Sequence, residues 1–466
     1  MEIPKIEIPK KEIAKLPSIN IKPKSKDTEE TKAIKKLLRD NNYKVGSYSE
    51  FSTFNNCKYE YYLSYIQEWI DEKGNLRHGK RGKDNVYSKL GGIIHDVLED
   101  FIKGKCTRQQ MIDKFEFIYK DSKIPKVGAT SILKFPSDKI EKNYIECIRI
   151  FLQNYQIPKA DKILLETFLF DIMIPDKLAL QGYADLILGF NDKNGKYAII
   201  DDFKTSTKFK SGELLEKGRQ LVMYAYMYTK RTGIPVKMVR WNMLKYYEVS
   251  FPNILPQLKN KSAKELKDFL EKNGVTEKLK KDEMISKCLQ FDVNEFLDLN
   301  NNIIVYQKNE LFEKVGKKLQ ELLIKCGLSE DSINYNLNIL QQTYSFDYFT
   351  DDVKNILLKF NIFAKDYYLE YNLTQDIYDE MENYIISTYN EMQNIPDVKD
   401  DKNIDFYYPP IGDIDNDPFY CHNLCGHATD NNGEYICKYY KEYCEDIKNS
   451  WQKIKYMILY IYQRKT

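Results

Sequence analysis

The stretch LALQGYADLILGFNDKNGKYAIIDDFK, residues 178–204, decides the fold. Two apolar runs, Leu178 to Phe190 and Lys196 to Lys204, flank Asn194-Gly195, a pair that favours the tight turn of a β-hairpin. Asp185 lies inside the first run, where an ionised carboxylate is costly unless it meets a cation or a strong donor. Period-two alternation puts Asp202 and Lys204 on one face of the second run. Pairing through the hairpin then brings Asp185 to Asp202. Two carboxylates and the Phe203 carbonyl make a hard-oxygen set suited to Mg²⁺ or Mn²⁺. Such a site suits phosphodiester hydrolysis, in which a metal activates water and offsets charge on the phosphate. Lys204 adds positive charge where the transition state gathers negative charge, or orients the water. The plainer reading of the same residues is a strand-end salt bridge.

Outward from this hairpin, a third strand-like run precedes it at Lys162 to Ile172, carrying Glu166 as a further acid to which a structural role is assigned. An amphipathic helix follows over about residues 213–231, then a strand-like run from Val236 to Phe251. Upstream, Phe51, Phe54, Tyr61, Tyr62, Tyr65 and Ile66 recur at helical spacing. Ile94, Val97, Leu98 and Phe101 line a second helix that carries His95. Helix, three strands, helix and strand describe an α/β (α+β) core with a mixed sheet flanked by helices. The expected domains are an extended basic tail (1–45), the core (46–254), a helical insert (255–295) and a helical region with a cysteine cluster that closes onto the core (296–466).

The chain has 466 residues, with 71 Lys+Arg against 69 Asp+Glu, a net charge of +2 that does not announce a nucleic-acid protein. The sum hides segregation. Residues 1–45 hold 12 bases and seven acids (+5), residues 259–288 nine Lys and six acids (+3), and residues 397–417 two Lys and seven Asp (−5). With only nine Arg, base-specific forks are scarce, and lysines contact phosphate without reading sequence. The late apolar run Tyr456 to Tyr462 is far too short to span a membrane. No leader region follows Met1, so the protein is expected in the cytoplasm, that of a host cell if a phage encodes it. Nine cysteines are too few for a secreted disulfide scaffold, and clustered thiols in a reducing cell point to metal.

Five motifs stand in fixed order: Cys57-Lys-Tyr-Glu-Tyr-Tyr-Leu63, Gly91-Gly-Ile-Ile-His95, Gly182-Tyr-Ala-Asp185, Asp202-Phe-Lys204 and Gln220-Leu-Val-Met-Tyr224. In these the chain resembles the RecB/Cas4-like (AddB-type) branch of the PD-(D/E)XK nuclease superfamily. The resemblance implies a restriction-endonuclease-like fold with a large helical insertion and C-terminal region. It implies that His95, Asp185, Asp202 and the Phe203 carbonyl hold Mg²⁺ or Mn²⁺, and that Lys204 assists the water. Gln220 and Tyr224 brace the site or contact the strand. The implied activity is a metal-dependent DNA nuclease, an exonuclease on single-stranded or frayed ends in recombination, repair or replication. Its partners are DNA and a helicase or recombination or replication protein in trans. A catalytically silent DNA-binding or assembly protein and a Cas4-like adaptation nuclease are the alternatives.

In the resembling family, one cysteine before the core and three after it often bind a [4Fe–4S] cluster. Cys57, Cys421, Cys425 and Cys437 fit that set, with Cys444 as a substitute, although the downstream spacing is wider than the common form. A Zn²⁺ site of Cys421, Cys425, Cys437 and Cys444, with His422 or His427 as replacements, is the rival. Ser262 to Leu289 is similar to a SAP-type DNA-binding motif, with Leu266, Phe269, Leu270, Met284, Ile285 and Leu289 turned inward. Lys264, Lys280 and Lys281 are its expected phosphate contacts. Finally, Gly74 to Lys80 has Walker A spacing, but Arg81 replaces the hydroxyl residue such a loop needs, so the segment reads as a basic loop.

Overall fold

The computed structural model describes residues 28–463, except 72, 80–81, 83–84, 124–134, 210–212, 294, 298–302, 397, 399–400, 412–419 and 430–433; for 401–402, 422–423 and 451–463 it describes the backbone alone. The first 27 residues of the expected tail, Lys80 and Arg81 of the basic loop, and the His422 side chain therefore lie outside the described residues.

The chain opens with α1 (Glu29–Asp40), β1 (Lys44–Ser47), α2 (Tyr48–Asn56) and α3 (Lys58–Tyr61), followed by a π-helical turn at Tyr62–Ile66. A small hairpin, β2 (Glu68–Ile70) and β3 (Leu76–His78), leads into α4 (Val86–Ile102), α5 (Arg108–Lys123) and α6 (Asp138–Asn154). The centre of the fold is β4 (Lys162–Ile174), β5 (Leu178–Asp192), β6 (Gly195–Lys204), α7 (Leu214–Thr232) and β7 (Val236–Ser250). Then come α8 (Ile254–Asn260), α9 (Ala263–Lys272), α10 (Lys281–Cys288), β8 (Ile304–Gln307), α11 (Leu311–Lys325), α12 (Glu330–Thr343), α13 (Asp351–Lys359) and β9 (Phe363–Asn372). The chain ends with α14 (Gln375–Asn394), α15 (Asp401–Tyr407), a second π turn (Tyr420–Leu424) and α16 (Lys438–Gln463).

Strand β5 organises the main sheet. One edge pairs antiparallel with β4, and the other is shared: β1 runs parallel to Leu178 through Gln181, and β6 runs antiparallel from Leu186 onward. Residues 182–185 fall in the opening between these two partners. Asn194-Gly195 makes the β5–β6 turn as expected, with Gly195 at φ 110°. Helix α7 then returns the chain so that β7 lies parallel to β6, the crossover that parallel pairing requires.

Helices cover both faces. On one side α7 and α14 bury Leu221, Met223, Met381 and Ile385 against Leu180, Ile187, Ile200 and Trp241. On the other, α4, α5 and α6 bury Leu90, Ile94, Phe115 and Phe151 against Leu186, Leu188, Phe203 and Leu244. Residues 254–362 build a second, helical core around Leu258, Leu266, Leu319, Leu340 and Phe360.

The mixed α/β sheet flanked by helices agrees with the sequence reading, and two stretches depart from it. Residues 29–40 are not an extended tail. Thr28 caps α1 by accepting from the Thr31 amide, and Ile34 and Leu38 dock on Phe168, Phe170 and Ala179. Two apolar residues one turn apart are enough because β1 beside them is fixed in the sheet. The stretch beyond residue 296 is not all helical either: β8 and β9 both pair with β7. Partners more than 50 residues away in sequence for β8, and more than 100 for β9, supply that pairing, so local periodicity does not reveal it.

Candidate active site

Helix α4 starts at Asn85, whose side chain accepts from the Ser88 amide, and buries Leu90, Ile94, Val97 and Leu98 completely. That orientation turns His95 along its flank toward the end of β6. His95 Nε2 lies 3.0 Å from the Phe203 carbonyl oxygen. A carbonyl only accepts, so Nε2 carries the hydrogen and Nδ1 faces the carboxylates. Asp185 Oδ2 is 3.5 Å from Nδ1, and Glu166 Oε1 is 4.0 Å from it.

Asp185 sits where β5 passes from β1 to β6. Since Leu186 pairs with Asp201, the next residues outward, Asp185 and Asp202, face one another across the opening strands. Asp185 Oδ2 also accepts from the Phe203 amide at 3.0 Å. On β6, Asp202 and Lys204 share a face as alternation demands: the ammonium is 3.2 Å from Asp202 Oδ1 in a hydrogen bond and 2.8 Å from Oδ2. The closer approach lacks hydrogen-bond geometry, and Oδ2 remains buried with no hydrogen-bond partner. Its charge is met by the Lys204 ammonium alone, which leaves the oxygen's remaining lone pair free to accept a further donor or cation.

The electrostatics follow from burial and crowded charge. Burial lowers the His95 pKa, but the Asp185 charge overrides it and lifts the value to about 9. Burial, reinforced by Asp185, pushes Glu166 up to about 7. Burial also raises Asp202 to about 6, with Lys204 opposing. Asp185 moves down despite its burial because His95 and Lys204 stabilise its charge. Lys204 stays cationic, held up by Asp202 and Asp185 against its own desolvation.

His95, Glu166 and Asp185 each offer a ligand atom within 4.8 Å of the others, and among the described residues they are the only such His/Cys/Asp/Glu group. Glu166 thus stands beside the residues expected from sequence to hold metal, rather than in a purely structural place. Its sequence signal is the same as that of Asp185: an acid within an apolar strand. The donor set, three carboxylates and an imidazole, fits a hard divalent cation. The Phe203 carbonyl, an expected ligand, is engaged with His95 here.

Gln220 and Tyr224 meet on α7, where Gln220 Nε2 donates to the Tyr224 hydroxyl at 2.9 Å. The Tyr224 ring packs against Gly182 so closely that a Cβ there would lie 2.4 Å from it. Tyr224 therefore braces β5 three residues before Asp185.

Two other groups lie apart from this centre. Cys57, Cys421, Cys425 and Cys437 line one cavity with Glu60, Tyr420 and His427. Cys57 sits at the extended break between α2 and α3, and its sulfur accepts from the Glu60 amide at 3.4 Å. Cys444 packs beside Cys421, Ala428 and Tyr440 and does not line the cavity. The His427 ring is 2.9 Å from Ser64 Oγ. Helices α9 and α10 form the expected pair, with Ser262 and Glu265 making a capping box and Leu266, Leu270, Ile285 and Leu289 buried. Phe269 and Met284 pack on them, half-buried. Lys264, Lys280 and Lys281 are exposed, although Lys281 donates to the Lys259 carbonyl at 2.9 Å.

No curated protein matches the chain. A model of the PD-(D/E)XK nuclease superfamily matches residues 46–327, more than half of the sequence and the span holding His95, Glu166, Asp185, Asp202 and Lys204. By that match, and with the carboxylates and lysine gathered at the mouth of a mixed sheet, the chain belongs to the PD-(D/E)XK nuclease superfamily.

Proposed function

We propose that the protein is a Mg²⁺- or Mn²⁺-dependent DNA nuclease that acts on single-stranded or frayed ends. The observation that carries this reading is the convergence of His95, Glu166 and Asp185 within 4.8 Å, next to a buried Asp202 oxygen with no hydrogen-bond partner. A divalent cation held by Asp185, Asp202, Glu166 and His95 Nδ1 would activate water and offset charge on the scissile phosphate. His95 must give up its Nδ1 proton to act as a ligand. Lys204, fixed by Asp202, keeps its ammonium where negative charge develops. Tyr224 and Gln220 hold β5, and so Asp185, in place. The exposed Lys264 and Lys280 add sequence-independent phosphate contacts on the helical lobe, with Lys281 at their side. Few arginines and many lysines accord with cleavage that does not read sequence. A helicase or recombination protein in trans would supply the single strands.

The four cysteines of the cavity suit a structural [4Fe–4S] cluster. Tetrahedral zinc held by the same region's thiolates is the rival. The cluster would clip Cys57, ahead of the nuclease core, to the chain's far end.

The test is cleavage of end-labelled single- and double-stranded DNA, linear and circular, with Mn²⁺ and with EDTA. Mn²⁺-dependent loss of linear single strands is expected. Binding without cleavage under any divalent metal would favour the alternative, a silent nuclease-fold assembly protein.

A further inference from the structure

Strand β7 changes partner along one edge. β6 leaves it after the pair Lys204–Met243, and β8 joins it at Tyr246–Gln307. Lys245 stands in that gap. Against β9, the five steps from Asn242 to Tyr247 oppose only the two from Tyr368 to Asp366, so three extra residues bulge out of the ladder. A bulge re-aims side chains. Leu244 packs in the layer of α4, α5 and α6, and strict alternation would send the next residue to the opposite face. Instead, the Lys245 ammonium lies 5.2 Å from the centre of the Tyr144 ring, in that same layer.

The lysine is thereby tied to the carboxylate site. Tyr87, Gly91 and His95 recur every four residues along one flank of α4. His95 meets the Phe203 carbonyl, a Cβ on Gly91 would lie 3.8 Å from Thr205 Oγ1, and the Tyr87 ring centre is 6.1 Å from that of Tyr144. One helix flank, about 12 Å long, leads from the carboxylates to the ring that carries Lys245.

Lys245 is half-buried, and among the described residues no carboxylate pairs with it. Burial pulls its pKa below the ordinary lysine range, opposed only by the Cys147 thiol. The same region pairs its other buried lysine, Lys308, with Asp366. The Tyr144 hydroxyl is buried with no hydrogen-bond partner, and Thr205 stands near it without closing a bond. An ammonium and a hydroxyl side by side, both donors and neither met by an acceptor among the described residues, make a site for an anion.

We infer that Lys245 holds a non-scissile backbone phosphate of the bound DNA strand, with the Tyr144 and Thr205 hydroxyls as further donors. This subsite deepens the nuclease reading and rests on it, since it requires a strand that runs on from the metal centre along α4.

The test is binding of a fluorescent single-stranded oligonucleotide to the full-length protein in EDTA, read by anisotropy, for wild type, Lys245→Met and Tyr144→Phe. Lys245→Met should weaken binding about tenfold. It should also reduce the slope of log affinity against log salt by about 0.7, the share of one phosphate on a single strand. A methylphosphonate, which neutralises one linkage, should weaken wild-type binding at one position of the strand and leave Lys245→Met unaffected there. Tyr144→Phe should lose part of its affinity at the same linkage. Each substitution removes a polar group with no partner, so melting temperatures should hold or rise, which shows that the variants are folded. An unchanged salt slope for Lys245→Met, equal sensitivity of wild type and variant at every linkage, or a lower melting temperature with unchanged binding overturns the subsite. Lys245-dependent binding without cleavage under any divalent metal would remove the nuclease reading and leave the phosphate site standing. Cleavage without Lys245-dependent binding would remove the site alone.

Discussion

Glu166 and Asp185 stand opposite one another across the β4–β5 ladder, between the pairs Leu165–Leu186 and Thr167–Ala184. Glu166 occupies the left-handed region at φ 44°, a conformation a side-chain-bearing residue holds at a cost of roughly 1–3 kcal/mol. Two carboxylates facing each other on a strained backbone are what a cation would stabilise. Glu166→Gln should therefore weaken Mn²⁺ binding by about tenfold or more, measured by calorimetry. In EDTA the sign of its effect on stability reverses. The folded pKa of about 7 lies above the ordinary 4.5, so the wild-type protein loses stability through this group as pH rises from about 4.5 to 7. The Gln variant should lose less over that window in thermal melts, and an identical pH profile would contradict the assignment.

Lys204 contacts both Asp202 oxygens, yet one of them lacks a hydrogen bond. A strand-end salt bridge and a catalytic pair make different predictions for this geometry. Lys204→Ala and Asp202→Asn should each reduce Mn²⁺-dependent cleavage by about a hundredfold or more, while far-UV circular dichroism stays native. If the contact were only structural, Lys204→Ala would lower the melting temperature and leave the rate per folded molecule unchanged.

How much of this was legible in sequence depended on the distance between partners. Asp185, Asp202 and Lys204 could be read together because Asn194-Gly195 fixes their hairpin register, and His95 because α4 has a clear apolar face. Glu166 lies in a comparable apolar strand, but its left-handed backbone and its approach to His95, about 70 residues earlier in the chain, leave no local pattern to read. The same reason hid β9, whose residues alternate weakly between half-buried and exposed and find β7 only after the intervening helical lobe folds. Helix α1 was obscured by its lysines. Of the cysteine set, the clustering of the last four was visible locally, and the fold brings Cys57 to the same cavity while leaving Cys444 off it.

The Tyr224 ring occupies the space a side chain at Gly182 would need. Gly182→Ala should force β5 or α7 to shift, displacing Asp185 and lowering cleavage together with stability. Tyr224→Ala should destabilise by about 3–5 kcal/mol, as loss of a buried aromatic does. Tyr224→Phe keeps the ring and loses only the bond to Gln220, about 1 kcal/mol. Activity that follows the ring rather than the hydroxyl would identify Tyr224 as a positioning residue. A large fall in cleavage for Tyr224→Phe at unchanged stability would instead place the hydroxyl against the substrate.

The cysteine cavity yields a prediction that separates Cys444 from the other four thiols. If Cys57, Cys421, Cys425 and Cys437 hold an iron–sulfur cluster, anaerobically purified protein should be brown and contain iron. Cys57→Ser or Cys437→Ser should abolish the colour, and Cys444→Ser should retain it, since that sulfur is off the cavity. Losing the cluster should open the long loop between residues 57 and 421 and lower the melting temperature. The carboxylate site is built from other elements, so folded protein without the cluster should keep Mn²⁺ binding. Colourless protein with stoichiometric zinc would assign the cavity to a smaller ion, and equal loss of colour in Cys444→Ser would move that residue into the ligand set.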